Sequence, residues 1–254
     1  INKFFHTVSS GWVLGSLFVA GVSAWYLIKK RDTEFAMRSM KVAAIFGLLS
    51  TIIIAYTGDG SAYQVAQKQP MKLAVMEGLY KGQNGTPLIV MAIVNPAKEK
   101  YNDSVPSVLM PIRIPKMLSF LGYRDFNAFV PGITDIIDGG YTLPDGTKAL
   151  PFEEKKLKGQ TAINALKQYK EAEKIKDTTS MAANKAILDE NFDYFGYGYL
   201  NKPEELIPNV PLVFYSFNVM VGLGFFFIAL FTLIIFFNYK KKLQNQKWLL
   251  WVSL

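Results

Sequence analysis

The chain carries at residues 4–28 the stretch FFHTVSSGWVLGSLFVAGVSAWYLI, which contains no Asp, Glu, Lys or Arg. A membrane-spanning helix needs roughly 20 apolar residues, so this stretch is long enough to cross a bilayer. Its ionisable group is the imidazole of His6, the only histidine of the chain. Such a group is energetically costly inside a membrane, which makes His6 a candidate functional residue. The alternative is a neutral histidine that is hydrogen-bonded within a helix bundle.

Two further segments lack charged residues, namely residues 42–58 and residues 206–239. The second of these exceeds the length of a spanning helix, and the first reaches it if the Lys41 side chain extends its ammonium group to the interface. Another apolar stretch begins at Trp248 and runs to the end of the sequence. The sequence therefore predicts an all-α polytopic membrane protein, built as a bundle of transmembrane helices.

The charges indicate an orientation. Residues 58–210 hold 18 Lys and Arg against 18 Asp and Glu, so the net charge of +8 arises from the residues that flank the apolar segments. Nine bases lie in two short loops, residues 29–41 and 240–247. Short loops rich in Lys and Arg face the cytoplasm, which places residues 58–210 outside. The same clusters could bind anionic lipid on that face, and they do not indicate a nucleic-acid partner.

These observations predict a domain organisation and a local structure for the outer block. We expect two transmembrane helices within residues 1–57, at about 4–28 and 41–58, and a third at 211–239. Residues 58–210 should form an extracytoplasmic domain that is mixed but mainly helical. Residues 240–254 should form a basic link and the start of another transmembrane helix. The segment Gly58–Ser61 is expected to end the second span. Cysteine is absent, so no disulfide stabilises the outer block. We expect the sequence to be an internal piece of a larger polytopic protein.

Within the outer block, Pro70 opens a short helical pattern that Gly78 should end. Lys72 and Glu77 lie on this segment five residues apart, a spacing that does not give an i,i+4 ion pair, and two solvated charges are the simplest interpretation. Residues 87–115 favour short extended pieces, residues 152–176 favour a polar helix, and Thr179 is the expected N-cap of the helix that follows. The run Phe192–Leu200 alternates aromatic residues with glycine and could pack on lipid, on helices or on a flat ligand.

The third span supplies a possible partner for His6. At a rise of 1.5 Å per residue, His6 lies roughly 33 Å above Ile28 and Met220 roughly 28 Å above Tyr239. The two side chains are therefore predicted at similar depth near the outer surface. His and Met are the ligand pair of many low-spin electron-transfer haems, and small residues beside both leave room for a flat macrocycle. A gap-filling core Met is the alternative for Met220.

Several segments together resemble subunit I of the bacterial cytochrome bd quinol oxidases, in the order of that family and at similar separations. The segments are Phe5–Gly11, Ser23–Leu27, Lys72–Glu77, Phe195–Gly198 and Phe217–Val221. The resemblance covers essentially the whole chain and is weak across residues 83–190. It implies a subunit of nine membrane helices, of which this chain would provide helices five to seven and the quinol loop between helices six and seven.

The resemblance also implies site residues and cofactors. His6 and Met220 match the axial ligands of a low-spin b-type haem, and Lys72 and Glu77 match loop residues implicated in quinol oxidation, with Gln69 as a further loop position. The family has Arg two residues before the Met, where this chain has Asn218. An arginine there would stabilise the reduced haem and its propionates, and Asn cannot.

The function implied is that of a terminal respiratory oxidase in the bacterial inner membrane. It oxidises membrane quinol at the outer face and passes electrons through the His6/Met220 haem to an oxygen-reducing site. That site would hold a high-spin b-type haem and haem d, neither ligated by residues of this chain. The partners implied are the oxidase's subunit II and a small accessory subunit. A haem-free transporter or receptor with an outer ligand domain is the alternative, since it too would show spans and an outer block.

Overall fold

The computed structural model describes residues 2–254 and divides into two compact units. The first unit comprises residues up to Gln64 together with Ser216–Leu254, and the second comprises Val65–Tyr215. Both boundaries lie a few residues C-terminal to those expected from the sequence at 58 and 210. Each unit has its own buried cluster of apolar residues.

The first unit is helical and contains the apolar segments. Helix α1 covers Asn2–Ile28, α2 covers Thr33–Lys68, α8 covers Val210–Tyr239, and the short α9 covers Lys247–Ser253. Three segments are long and apolar enough to cross a membrane, which are Asn2–Ile28, Thr33–Lys68 and Pro203–Tyr239. The predicted fold class, an all-α transmembrane bundle with a mixed outer loop region, is thus confirmed.

The core of this unit is formed where these helices pack together. Phe231 and Ile234 of α8 are fully buried, and Met40 of α2 joins the same cluster. A Cβ atom at Gly47 would lie only 2.4 Å from Cζ of Phe231, so glycine is required for this approach of α2 to α8. Asn238 strengthens the packing, because its Nδ2 donates to the carbonyl of Met37 at 3.1 Å.

Helix α2 differs from the sequence prediction at both ends. It begins at Thr33, so Arg38 lies within the helix and pairs with Glu34 instead of lying in a loop. At its other end α2 continues through Gly58 and Gly60 to Lys68. The helix therefore does not end at Gly58–Ser61, the segment expected to end the membrane span, although glycine inside a helix costs about 1 kcal/mol relative to alanine.

Both glycines lie against α1. A Cβ atom at Gly58 would lie 3.5 Å from Cε1 of His6, and one at Gly60 would lie 3.4 Å from Nδ2 of Asn2, which are ordinary van der Waals distances. The Asn2 amide also donates to the carbonyl of Thr57 at 2.9 Å and to Oγ of Ser61 at 2.8 Å. Side-chain hydrogen bonds therefore join α1 and α2 beside these glycines, which do not act as helix breakers.

The second unit, Val65–Tyr215, is mixed but mainly helical. Its helices are α3 (Pro70–Met76), α4 (Met117–Tyr123), α5 (Ile133–Asp138), α6 (Phe152–Ile175) and α7 (Thr178–Asn191). Strand β1 (Gln83–Asn84) pairs with β4 (Phe129–Val130), and β2 (Leu88–Val94) pairs with β3 (Val108–Ile114), both antiparallel. The 3₁₀ segments Phe192–Tyr199 and Pro203–Leu206 complete the unit.

Most of the local predictions for this unit are confirmed. Pro70 is at the start of α3, and Gly78 follows it with a φ of +59°, as a glycine stop requires. The extended pieces and the polar helix α6 are also present. The N-cap prediction is wrong, because Asp177 rather than Thr179 caps α7 and accepts hydrogen bonds from the backbone of Thr179 and Ser180. A carboxylate one residue before the helix is an equally favoured cap and is the side chain placed to reach these donors.

The aromatic–glycine run packs on a helix of its own unit. Tyr197 contacts Phe152 edge-on, with ring centroids 6.5 Å apart. A Cβ atom at Gly159 would lie 2.4 Å from the backbone nitrogen of Gly198, so α6 and the 3₁₀ segment meet backbone to backbone. Of the three expected modes of packing, the side of this run that faces α6 packs on a helix. Phe192 and Tyr199 remain exposed.

We predict that Gly159→Ala destabilises the second unit, because the new methyl group would meet backbone atoms that have no room to move. Overpacking of this kind costs roughly 1–3 kcal/mol. The matched control is Gly196→Ala in the same aromatic run, where an added Cβ meets nothing within 4 Å. Limited proteolysis of the two variants across a temperature series should show earlier cleavage of Gly159→Ala alone. Equal protection of both variants would contradict the close packing.

Candidate functional site

His6 lies in the first turns of α1 and faces α2. Its Nδ1 is 3.0 Å from Oγ1 of Thr57, and the ring is partly buried. A ring nitrogen engaged in this way leaves the other nitrogen, Nε2, for a second partner. Nδ1 of His6 is therefore hydrogen-bonded within the helix bundle, as the alternative interpretation of this residue expected. That interpretation does not account for Nε2.

A flat, iron-bearing group held by His6 and Met220 would need open space beside both side chains. Met220 lies on α8 within the same unit, and its side chain is 52% exposed rather than packed in the core. Open space surrounds the α-carbons of four glycines on these two helices, where an added Cβ would meet nothing within 4 Å. These are Gly11 and Gly15 on α1 and Gly222 and Gly224 on α8.

One buried hydroxyl supports the same interpretation. Within residues 2–254, Oγ of Ser9 is a fully buried side-chain oxygen that has no hydrogen-bond partner. Its neighbour Ser10 donates to the carbonyl of His6 at 2.8 Å, as serines in helices commonly do. An unsatisfied polar atom one turn from His6 indicates that a polar group is missing from its surroundings.

Asn218 is partly buried on α8, two residues before Met220. In the described residues 2–254, no group of three or more His, Cys, Asp or Glu side chains is arranged to hold a metal ion. A haem iron held axially by one His and one Met does not need such a group.

The loop residues matched to quinol oxidation occupy different environments. Glu77 follows α3 directly and is 3% exposed, whereas Lys72 and Gln69 are exposed. Lys72 and Glu77, both in the described part of the chain, form no ion pair. The expectation of two solvated charges is thus correct for Lys72 and wrong for Glu77.

Burial changes the acidity of Glu77. Loss of hydration penalises the carboxylate and raises the pKa of Glu77 to about 8, while a hydrogen bond from the backbone of Ile89 acts in the opposite direction. The apolar neighbours Leu73, Ala74 and Val75 are all buried around this end of α3. A carboxyl group with such a pKa can exchange a proton near neutral pH.

A cavity of about 790 Å³ lies in the second unit next to the end of α3, and Glu77 itself is not among the residues that line it. Its wall includes Gly78, the next residue along the chain, and Ile89, whose backbone contacts the Glu77 carboxylate. Lys72 and Gln69 do not line this cavity. Its volume lies within the range of roughly 300–1,000 Å³ that is typical of small-molecule sites.

Polar side chains that sequence reasoning missed line the same cavity. Nζ of Lys98 lies 2.6 Å from a carboxylate oxygen of Asp103 and 4.6 Å from the ring centre of Tyr80. The Lys98 ammonium, together with backbone N–H donors, holds the pKa of Asp103 below its usual range, and burial raises the pKa of Tyr80. No motif marks these residues in the sequence.

Thr57 was also missed by sequence reasoning, although it lies near one end of its apolar segment, as His6 does.

Comparison with known proteins accounts for these features together. Residues 1–254 match the family described as cytochrome bd terminal oxidase subunit I. The chain belongs to this family. It is similar to the cytochrome bd-II ubiquinol oxidase subunit 1 of Escherichia coli (strain K12), with 29% identity over 99% of this chain and 48% of the relative.

Other relatives give the same result. The cytochrome bd ubiquinol oxidase subunit 1 of Bacillus subtilis (strain 168) is 28% identical over 98% of this chain and 40% of its own length. The chain thus spans about half or less of the curated relatives that it matches. The solved structure of the bd oxidase from Geobacillus thermodenitrificans aligns with a TM-score of 0.47 at 17% identity, over 94% of this chain and 58% of that one.

We predict that Glu77 is mainly protonated at neutral pH and ionises as the pH rises through about 8, because its buried carboxylate is poorly hydrated. Infrared difference spectra recorded during a pH titration should show a protonated-carboxyl C=O band that disappears over this range. The band should be absent in Glu77→Gln and unchanged in the control Glu99→Gln, whose side chain is exposed. A carboxyl signal that titrates only near the ordinary pKa of glutamate would contradict the burial of Glu77.

Proposed function

We propose that this chain is part of a bacterial inner-membrane quinol:oxygen oxidoreductase of the cytochrome bd type. The observation that carries the proposal is a buried carboxyl group, Glu77, beside a cavity of ligand size in a chain that belongs to the subunit I family. The haem-free transporter or receptor considered above has no comparable support from this family.

In this proposal the second unit binds quinol and takes its protons. A quinol ring placed in the cavity would have Glu77 behind the wall formed by Gly78 and Ile89. The carboxylate form of Glu77 accepts a proton from a quinol hydroxyl, and roughly a tenth of it is ionised at pH 7 for a pKa near 8. Lys72 and Gln69 do not line the cavity, so in this proposal they act on quinol as it approaches along the exposed face of α3. Lys72 attracts or polarises the quinol oxygen, and Gln69, at the start of that helix, is a further candidate contact.

The first unit holds the electron acceptor in this proposal. His6 and Met220 would be the axial ligands of a low-spin b-type haem, which when bound supplies one-electron redox chemistry. The chain's own contribution is to fix the imidazole and the thioether, to leave space at the glycines beside them, and to set the local charge. Asn218 supplies a neutral side chain near the proposed haem, where the family has arginine.

The rest of the complex completes the reaction. We propose that residues 58–210 are extracytoplasmic, since the nine flanking bases favour the cytoplasmic side. Protons from quinol would then be released outside and contribute to the proton motive force. A high-spin b-type haem and haem d in the remainder of the subunit would reduce oxygen. Subunit II and a small accessory subunit are the proposed protein partners, and the membrane supplies the quinol.

We predict that Glu77→Gln lowers quinol oxidation by roughly 10²–10⁴-fold, because the change keeps the shape of the side chain and removes the base. Wild-type turnover should rise with pH through about 8 as Glu77 ionises, and this rise should be absent in Glu77→Gln. Lys72→Met should raise KM more than it lowers kcat, because a contact made equally in ground and transition states sets binding.

The measurement is quinol oxidase activity beside an assay in which an artificial donor reduces the oxidase without the loop. Glu99→Gln serves as the exposed-carboxyl control. Near-normal quinol turnover in Glu77→Gln would reject the proton-acceptor role. Equal loss in both assays would indicate damage to the fold.

We predict that His6→Ala abolishes the absorption bands of one low-spin haem. Met220→Leu keeps the volume but removes the strong-field thioether, so the haem should become high-spin or shift strongly in potential. Spectra of the intact oxidase with and without dithionite provide the readout, and Met40→Leu in the buried core is the control. Unchanged low-spin bands in both ligand variants would place the ligands elsewhere.

We predict that Asn218→Arg raises the midpoint potential of the same haem. A positive charge near the haem edge favours the state that carries one more electron. A spectroelectrochemical titration compares this variant with Asn218→Gln, which has a longer side chain but no charge. A midpoint that falls or stays constant in Asn218→Arg would show that residue 218 does not face the haem.

A further inference from the structure

The contact between His6 and Thr57 joins two membrane helices through side chains 51 positions apart. The Thr57 side chain is 7% exposed, and its Oγ1 lies 3.0 Å from Nδ1 of His6. The same oxygen lies 2.9 Å from the carbonyl of Ile53 and 3.2 Å from that of Ile54. The hydroxyl is thus surrounded by one ring nitrogen and two backbone acceptors.

A threonine hydroxyl has one proton to donate, so the acceptor that receives it decides whether Nδ1 of His6 donates or accepts. A carbonyl oxygen can only accept, so when the Thr57 proton lies on Ile53, the oxygen of Thr57 accepts from Nδ1–H of His6. The neutral imidazole then carries its lone pair on Nε2. In the opposite arrangement Thr57 donates to Nδ1, the proton moves to Nε2, and Nε2 cannot bind a metal.

We propose that Thr57 is a positioning residue that holds His6 in the Nδ1–H form and presents Nε2 to the haem iron. The inference rests on the proposed role of His6 as a haem ligand. Thr57 is not one of the predicted ligands, and it lies on α2. In this proposal α2 therefore helps to orient the haem ligand that α1 supplies.

The surrounding contacts keep this pair in register. The Asn2 amide binds both the carbonyl of Thr57 and the hydroxyl of Ser61, which ties α1 to α2 on the outer side of the imidazole. Gly58 lies against the ring edge, where a Cβ atom would approach Cε1 of His6 to 3.5 Å. The ring is therefore held by a hydrogen bond on one nitrogen, between two helices that the Asn2 amide also joins.

A hydrogen bond from Nδ1–H to an acceptor increases the basicity of the metal-binding nitrogen and orients the ring. Stronger donation favours ferric over ferrous iron. Loss of the Thr57 hydroxyl should therefore weaken haem retention, by about the 10–100-fold that such outer contacts contribute to metal affinity, and raise the midpoint potential.

The test uses variants of the intact oxidase and two readouts that do not depend on turnover. These are haem transfer to added apomyoglobin, followed at the low-spin band, and the midpoint potential of that band. Thr57→Val keeps the volume and removes the hydroxyl, whereas Thr57→Ser keeps the hydroxyl. Thr51→Val is the matched control, since Thr51 is buried on the same helix and its hydroxyl donates to the carbonyl of Gly47 at 2.7 Å.

We expect weaker retention and a higher potential in Thr57→Val, and wild-type behaviour in Thr57→Ser and Thr51→Val. Wild-type values in Thr57→Val overturn the proposal, as do equal losses in Thr51→Val. If Thr57→Val does not assemble, Thr57→Ala is compared with Thr57→Ser. Alanine and serine are both smaller than threonine, and only serine has the hydroxyl. Identical spectra of Thr57→Ala and Thr57→Ser would therefore also reject the proposed role of Thr57.

His6→Ala separates this proposal from the one on which it rests. Loss of the low-spin band in His6→Ala, together with an unchanged Thr57→Val, rejects Thr57 and keeps the haem assignment. A low-spin band that persists in His6→Ala rejects the haem assignment itself.

Discussion

The absence of water inside a bilayer is the constraint on which the first unit depends. Every backbone N–H and C=O group in the core of the membrane must find a partner within the protein, and a continuous helix satisfies them all. This requirement explains why α1, α2 and α8 run as continuous helices through their apolar segments. Near one end of two of these helices, the His6 side chain of α1 reaches Thr57 of α2.

The second unit buries a few ionisable side chains within its own core. Glu77 is almost fully buried, and Lys155 is buried with its Nζ donating to the carbonyl of Ile136 at 2.9 Å. Burial lowers the pKa of Lys155 to about 8 and raises the pKa of Glu77 to about the same value. Each group has a backbone partner, which is the carbonyl of Ile136 for Lys155 and the N–H of Ile89 for Glu77.

Local patterns predicted much of the second unit. Pro70 and Gly78 bracket α3, and the β-branched stretches form β2 and β3. These predictions succeeded because a few neighbouring residues decide the backbone conformation. The prediction of Thr179 as a cap failed where two good capping residues lie close together, since the choice depends on which side chain reaches the free N–H groups, and Asp177 does. The missed cavity residues Lys98 and Asp103 carry no motif.

The three apolar segments, the asymmetry of charge and the family follow from the sequence alone, because these depend on composition and on short motifs. The pairing of His6 with Met220, from their depth along separate helices and from the family resemblance, stays a prediction. The folded structure was needed to show that Glu77 is buried while Lys72 is exposed, and that Thr57 meets the imidazole of His6. Burial and hydrogen bonding at these positions depend on residues far away in the chain, and the spacing of a linear sequence does not encode such contacts directly.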